Sequence, residues 1–169
     1  MPIALGDIPP GFYAGDNPVD AIYAGDELVY ALTSLDPVSM YKNGNQTLGT
    51  SFADVTAWTA DTATYPASVV SSNSLVISGA KSSAFISVEL SVTNTSFVGA
   101  RTIQIQLVLD STTIYTSSAV SIPLNTTQTV SFSTNHAVSD GQLLKLQALA
   151  SAVTSVRINS GTGSYVRVT

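Results

Sequence analysis

His136 is the single histidine of the chain. Acyl transfer by a Ser–His–Asp relay needs an imidazole held between a hydroxyl and a carboxylate, and Asp140 with any of several serines would supply the residue types. The surrounding run Ser133-Thr134-Asn135-His136-Ala137 is polar and has neither a nucleophile elbow nor a glycine-rich oxyanion loop, so His136 reads as a surface-loop residue. Glycoside hydrolysis needs two carboxylates about 5 to 10 Å apart. From Thr62 onward only Glu89, Asp110 and Asp140 are available, and Glu89, between Ser87 and Ser91, takes a solvated strand position. Asp16, Asp20, Asp26 and Glu27 could gather around a hard cation such as calcium, but their spacing matches no established loop, and an aspartate after glycine is explained by turn capping. The sequence therefore predicts no catalytic residue, no metal, no cofactor and no enzymatic activity.

The residues with a clear pattern are aromatic. Tyr13-Ala14-Gly15-Asp16-Asn17-Pro18-Val19-Asp20-Ala21 is followed by Tyr23-Ala24-Gly25-Asp26-Glu27-Leu28-Val29-Tyr30-Ala31, a repeat at a spacing of ten with Phe12 and Ile22 before the two tyrosines. Ten residues suit a short strand, a tight turn and a second short strand. A hairpin of that size is marginal in water and must lean on something else, so the repeat is a candidate docking device. Its contact residues are Phe12, Tyr13, Gly15, Asp16, Ile22, Tyr23, Gly25, Asp26, Val29 and Tyr30. Tyrosine gives large contact area at low entropic cost, which serves docking as well as it would serve sugar stacking. Trp58, the sole tryptophan, reads as core or rim packing.

Such residues need a scaffold, and the composition bounds it. The 169 residues are 44% hydrophobic, enough for one packed domain and an arm, yet only 10% charged, against roughly 25% in soluble domains generally. Serine and threonine fill the polar positions. Net charge is −5 and uneven: the first 61 residues hold most of the acids against Lys42 alone, and the remainder is weakly basic. Scattered cations do not make a nucleic-acid footprint; an acidic arm suits a basic protein surface. There is no cysteine, hence no disulfide. Met1-Pro2-Ile3-Ala4-Leu5-Gly6-Asp7 does not resemble a signal peptide, and no run approaches the ~18 apolar residues of a membrane span. The expectation is synthesis in a host cytoplasm and no membrane insertion.

Along the chain, Pro9-Pro10-Gly11 prevents regular structure, the repeats read as paired short strands, and residues 32–50 read as a linker or irregular covering loop. From Ser51 the pattern is β throughout. Ala84, Ile86, Val88, Leu90 and Val92 alternate with Phe85, Ser87, Glu89 and Ser91; Ile103, Ile105, Leu107 and Leu109 do the same, as do Leu144, Leu146, Ala148 and Ala150. Asn94-Thr95-Ser96-Phe97-Val98-Gly99 supplies a loop. Although Gly141–Val153 is rich in leucine and alanine, its two-residue period favours a strand over a helix. About eight strands at hairpin spacing describe an all-β protein: an N-terminal short-strand arm over 1–50 and a jelly-roll β-sandwich over 51–169.

Two segments resemble known families. Ile22-Tyr23-Ala24-Gly25-Asp26-Glu27-Leu28-Val29-Tyr30 resembles a short motif common near the ends of bacteriophage structural proteins, particularly minor tail proteins. Ala57-Trp58-Thr59…Tyr65-Pro66 through Val168 resembles the jelly-roll domain of the tumour-necrosis-factor/complement type found appended to phage head and tail proteins. That second likeness rests on Leu75-Val76-Ile77-Ser78-Gly79, Ser87-Val88-Glu89-Leu90-Ser91-Val92, Gly99-Ala100-Arg101-Thr102-Ile103-Gln104-Ile105, Ser139-Asp140-Gly141-Gln142-Leu143-Leu144 and Ser164-Tyr165-Val166-Arg167-Val168. The order Asp140-Gly141 departs from the Gly-Asp often found before the late strand. The resemblance implies a virion structural protein, preferably a minor tail protein, docking by its arm on other virion proteins and forming a homo-oligomer, preferably a trimer. A capsid decoration protein and a carbohydrate-binding module for host-surface glycans are the alternatives.

Overall fold

The computed structural model describes residues 34–169 in full and, for the backbone alone, Tyr13–Ala14, Asn17–Pro18, Ala21–Ala24 and Glu27–Ala31. The chain divides into two compact units, Met1–Ser34 and Leu35–Thr169. In the first, β1 (Tyr13–Ala14) pairs antiparallel with β2 (Asn17–Pro18), Tyr13 opposite Pro18. Strand β3 (Ala21–Ala24) pairs with β4 (Glu27–Ala31), Ile22 opposite Tyr30 and Tyr23 opposite Leu28, with an irregularity between Ile22 and Tyr23. Each copy of the repeat thus contributes its own two-stranded sheet, as its spacing predicts.

The second unit, the body, contains β5 (Val38–Lys42), β6 (Gln46–Thr47), β7 (Ala53–Asp54), β8 (Trp58–Ala60), β9 (Val69–Ser71), β10 (Ser74–Val76) and β11 (Lys81–Asn94). It continues with β12 (Arg101–Leu109), β13 (Thr112–Thr116), β14 (Val120–Ile122), β15 (Thr127–Val138), β16 (Leu143–Ala150), β17 (Val156–Ile158) and β18 (Gly161–Val168). One sheet runs β6-β17-β11-β18-β5-β8, with β15 on the other side of β11; the other runs β13-β12-β16-β10-β9, with β14 on β12 and β7 on β16. All pairings in both sheets are antiparallel.

The core lies between the sheets and is set by alternation. Ile86, Val88, Leu90 and Val92 of β11, Ile103, Ile105 and Leu107 of β12, Leu144 and Leu146 of β16, and Val166 and Val168 of β18 are all buried. Burying such a side chain contributes roughly 1.5–3 kcal/mol, so the register is strongly fixed: a one-residue slip would turn each whole set to solvent. The turns fit their residues. The β9–β10 hairpin closes through Ser72 and Asn73 at φ 47° and 63°, the two positive values that a tight primed turn demands. Asn73 then accepts a hydrogen bond from Ala57 N through Oδ1 (2.9 Å).

Two expectations differ from the structure. Residues 35–50, read as a linker or covering loop, belong to the body. Val38–Lys42 is a sheet strand between β18 and β8, with Val168 opposite Val38 and Val166 opposite Met40. The body therefore begins at Leu35, not Ser51, because Val38 and Met40 are fully buried core residues. His136, read as a loop residue, stands on β15 opposite Ala84. The polarity around it is that of a one-faced strand whose outward positions are exposed.

Candidate functional site

Of the arm residues, the structure describes the backbone of Tyr13, Ile22, Tyr23, Val29 and Tyr30, which fall on β1, β3 and β4. Phe12, Gly15, Asp16, Gly25 and Asp26 lie outside the described residues.

Within the body, the outward face of the β5–β18–β11 sheet gathers aromatic residues. Tyr165 stands directly opposite Tyr41 on one side and Glu89 on the other. The Arg167 guanidinium lies 3.7 Å from the Tyr165 ring centre and 5.6 Å from that of Tyr65, and the Tyr165 hydroxyl is 3.5 Å from Glu89 Oε2. The Nε of Arg167 and the Oγ of Ser39 are both shielded from solvent without a hydrogen-bond partner among the described residues, and the two residues are opposite each other in register. Asp61 to Ser68 covers this corner: Ser39 O accepts from Asp61 N (3.0 Å) and Ser39 N donates to Ser68 Oγ (2.9 Å). A planar cation stacked on tyrosine, with no carboxylate partner among the described residues, is a ready hot spot for association. By its alternation with Val166 and Val168, Arg167 reads from sequence as a cation that solvates a strand face. The alternation Tyr165-Val166-Arg167-Val168 shows that Tyr165 and Arg167 share a face, but Tyr65 comes from about a hundred residues upstream and carries no local signal.

The opposite sheet presents hydrogen-bonded polar groups on its outer face. Gln106 faces Gln147, and Asp54 receives Gln147 Nε2 (2.8 Å) and Lys145 Nζ (3.5 Å). This satisfied surface contrasts with the aromatic one.

Lys42 is a buried cation at the end of β5. Its Nζ donates to Gly44 O (2.7 Å) and Thr56 O (2.6 Å) and lies 5.9 Å from the Trp58 ring centre. Among the described residues no carboxylate lies within ion-pairing distance, and burial lowers its pKa from the ordinary lysine value. Trp58 is buried as read from sequence, and its Nε1 donates to Val55 O (2.6 Å).

His136 lines an open cleft of about 250 Å³ with Leu109, Asp110, Thr112, Ile114, Ala137, Ser139 and Gln142. Asp110 Oδ1 accepts from Leu143 N (3.0 Å) and Oδ2 from Gln142 Nε2 (3.1 Å). Asp140, the acid considered beside His136 from sequence, lines a separate cleft with Val69, Val76 and Gly141 and accepts from Gly79 N (2.8 Å). No hydrogen bond joins His136 to a serine or an aspartate among the described residues, and no group of three potential metal ligands occurs among them.

No protein-family model and no curated protein matches the chain. Among solved structures, the chain is similar to Eiger TNF from S. frugiperda, with a TM-score of 0.57 at 9% identity, covering 79% of this chain and 90% of that one. At that identity the likeness concerns architecture alone: the chain has an all-β jelly-roll fold of the tumour-necrosis-factor type.

Proposed function

We propose that this chain is a non-enzymatic structural component of a tailed-phage virion, preferably a minor tail protein, which docks by its N-terminal unit on another virion protein and presents a jelly-roll body. The observation that carries the reading is the duplicated hairpin. Residues 1–34 form their own compact unit, and their described strands make two separate two-stranded sheets of two to five residues per strand. Sheets of that size gain independent stability only by packing on something else. A foreign protein surface fits the tyrosine-rich, acidic sequence of this unit.

Homo-oligomerisation, as a trimer, is part of the same reading. The support is the Tyr41–Tyr165–Arg167 face, whose aromatic area, and a guanidinium in no ion pair among the described residues, suit the centre of an interface. A capsid decoration role would use the same two surfaces. Glycan binding draws its support from the Asp110–His136 cleft, which combines hydrogen-bonding groups with an apolar floor from Leu109 and Ile114. Label raised against the chain, imaged on intact particles, tests the reading: signal at the tail supports it, signal over the capsid supports the decoration role, and absence from particles overturns both.

A further inference from the structure

The two ends of the β-sandwich differ in chemistry. At one end, the chain joins the body: Asp36 N donates to Ser78 O (2.9 Å), and Asp110 and Asp140 hold the neighbouring turns. At the other end, three loops meet around Asn94. Its Nδ2 donates to Gly99 O (3.0 Å), Ile122 O (3.0 Å) and Pro123 O (3.2 Å), and its Oδ1 accepts from Ser96 N (2.9 Å). Asn94 is fully buried. Thr95 N donates to Ser155 O (2.8 Å), drawing in the third loop.

These tied loops hold out four of the six exposed large apolar side chains of the described body, the three most exposed among them; the other two, Val69 and Phe85, stand on β9 and β11. Phe97 is 91% exposed and Val98 85%, Val153 on the β16–β17 loop is 60% and Leu124 on the β14–β15 loop 46%. Next to Val153, the β-branched Thr154 is held at φ 57°, a conformation that persists only where its surroundings impose it. The loops 95–100, 123–126 and 151–155 contain no charged residue, and the first charges beyond them are Arg101 and Arg157. Neither arginine is in an ion pair among the described residues, and the Arg101 Nε is shielded without a partner. The fourteen residues of β11 separate this tip from the acidic end by roughly 40 Å at ~3.3 Å per residue.

We propose that this apolar tip is a surface-anchoring knob that dips Phe97, Val98, Leu124 and Val153 into the headgroup region of an anionic lipid bilayer. The apolar side chains stand on convex loop tips, which suit a deformable apolar medium better than a flat protein face. Arg101 and Arg157 flank them as juxtamembrane cations do, complementing negative headgroups. The same two arginines disfavour tip-to-tip pairing of two copies, which would bring like charges together. Within the body, the tip lies at the opposite end of β11 from the Asp36–Ser78 bridge. This is contact by loop tips, distinct from a membrane span, and it holds whether or not the arm docks as proposed above.

The test is co-sedimentation of the full chain with vesicles of phosphatidylcholine, with and without phosphatidylglycerol. Binding to the mixed vesicles is expected, and the F97S/V98S pair should weaken it about ten-fold or more with an unchanged melting temperature. Arg101→Gln with Arg157→Gln should remove the preference for phosphatidylglycerol. A Phe97→Trp chain should show blue-shifted emission quenched by brominated lipid. Failure of the parent chain to bind either vesicle, or equal binding by the serine pair, overturns the proposal. So does self-association that the serine pair abolishes, which would assign the tip to a second copy.

Discussion

Arg167 and Tyr165 stand two residues apart on one strand with the guanidinium 3.7 Å from the ring centre, while Glu89, opposite Tyr165 on the same face, takes the tyrosine hydroxyl. Among the described residues the arginine is held by aromatic faces, with no ion pair and its Nε without a partner. Arg167→Ala should lower the stability of the body by about 1 kcal/mol, read as a shift in the urea midpoint. It should also weaken self-association more than it weakens folding, read by sedimentation velocity over a concentration series. Lysine at this position cannot reproduce the planar stack and should behave like alanine in the second measurement.

Lys42 provides a pH prediction with a definite sign. Burial lowers its pKa in the folded protein, whereas the unfolded chain titrates near the ordinary value of 10.5. Between the lowered value and 10.5 the unfolded state binds more protons, so stability rises with pH across that window and is independent of Lys42 below it. Urea unfolding at a series of alkaline pH values should show this rise in the parent chain and its loss in Lys42→Met. Lys42→Ala should cost about 2–4 kcal/mol at neutral pH, because it opens a cavity and strands the carbonyls of Gly44 and Thr56.

The Asn94 side-chain amide joins the 95–100 and 122–126 loops, and Thr95 beside it draws in the third through Ser155. Asn94→Ala leaves the carbonyls of Gly99 and Ile122 and the amide of Ser96 without these partners, and should destabilise the body by about 2–4 kcal/mol. Hydrogen exchange should accelerate at 95–100, 123–126 and 151–155 before it does in β11 or β12, which would distinguish a local hub from a general core residue.

The boundary at Leu35 is also testable. A fragment spanning 35–169 should melt within a few degrees of the full chain. A fragment spanning 51–169 lacks β5, which leaves β18 unpaired on that side and removes the buried Val38 and Met40. Loss of two such core residues costs about 2–5 kcal/mol each, comparable to the whole stability of a domain this size. The shorter fragment should not show a cooperative transition by circular dichroism.

For the arm, Tyr23→Ala combined with Tyr30→Ala should abolish incorporation into particles while the body melts as before. Immunoblotting of purified particles reads the first quantity and calorimetry the second. Normal incorporation would remove the docking role.

The strands legible in the sequence are those buried mainly on one face: β11 from Ala84, β12 as far as Leu107, and β16 alternate, and the alternation correctly overrode the helical composition of Leu143–Ala150. Strand β5 was hidden for a physical reason. Its inward positions are Val38, Met40 and Lys42, and a lysine at an inward position breaks the apolar period unless one knows that two carbonyls and an indole await it. The turn signals Asp36-Pro37 and Asn43-Gly44 on either side then made the segment read as loop. At the candidate sites, the pairing of Tyr165 with Arg167 can be read from their spacing. Their neighbours Tyr65 and Tyr41, and the gathering of the Phe97, Leu124 and Val153 loops at one end, depend on which strands become adjacent, and that is a property of topology.

Strand β18 lies between β5 and β11. The middle of this sheet is thus built from the first and the last strands of the body. During vectorial synthesis Val38 and Met40 must wait, with their hydrogen-bonding edge open, until the final eight-residue strand clears the ribosome. Closure over so long a separation is slow, which gives the nascent chain an interval in which chaperones, or strand exchange between neighbouring copies on a polysome, compete for that open edge.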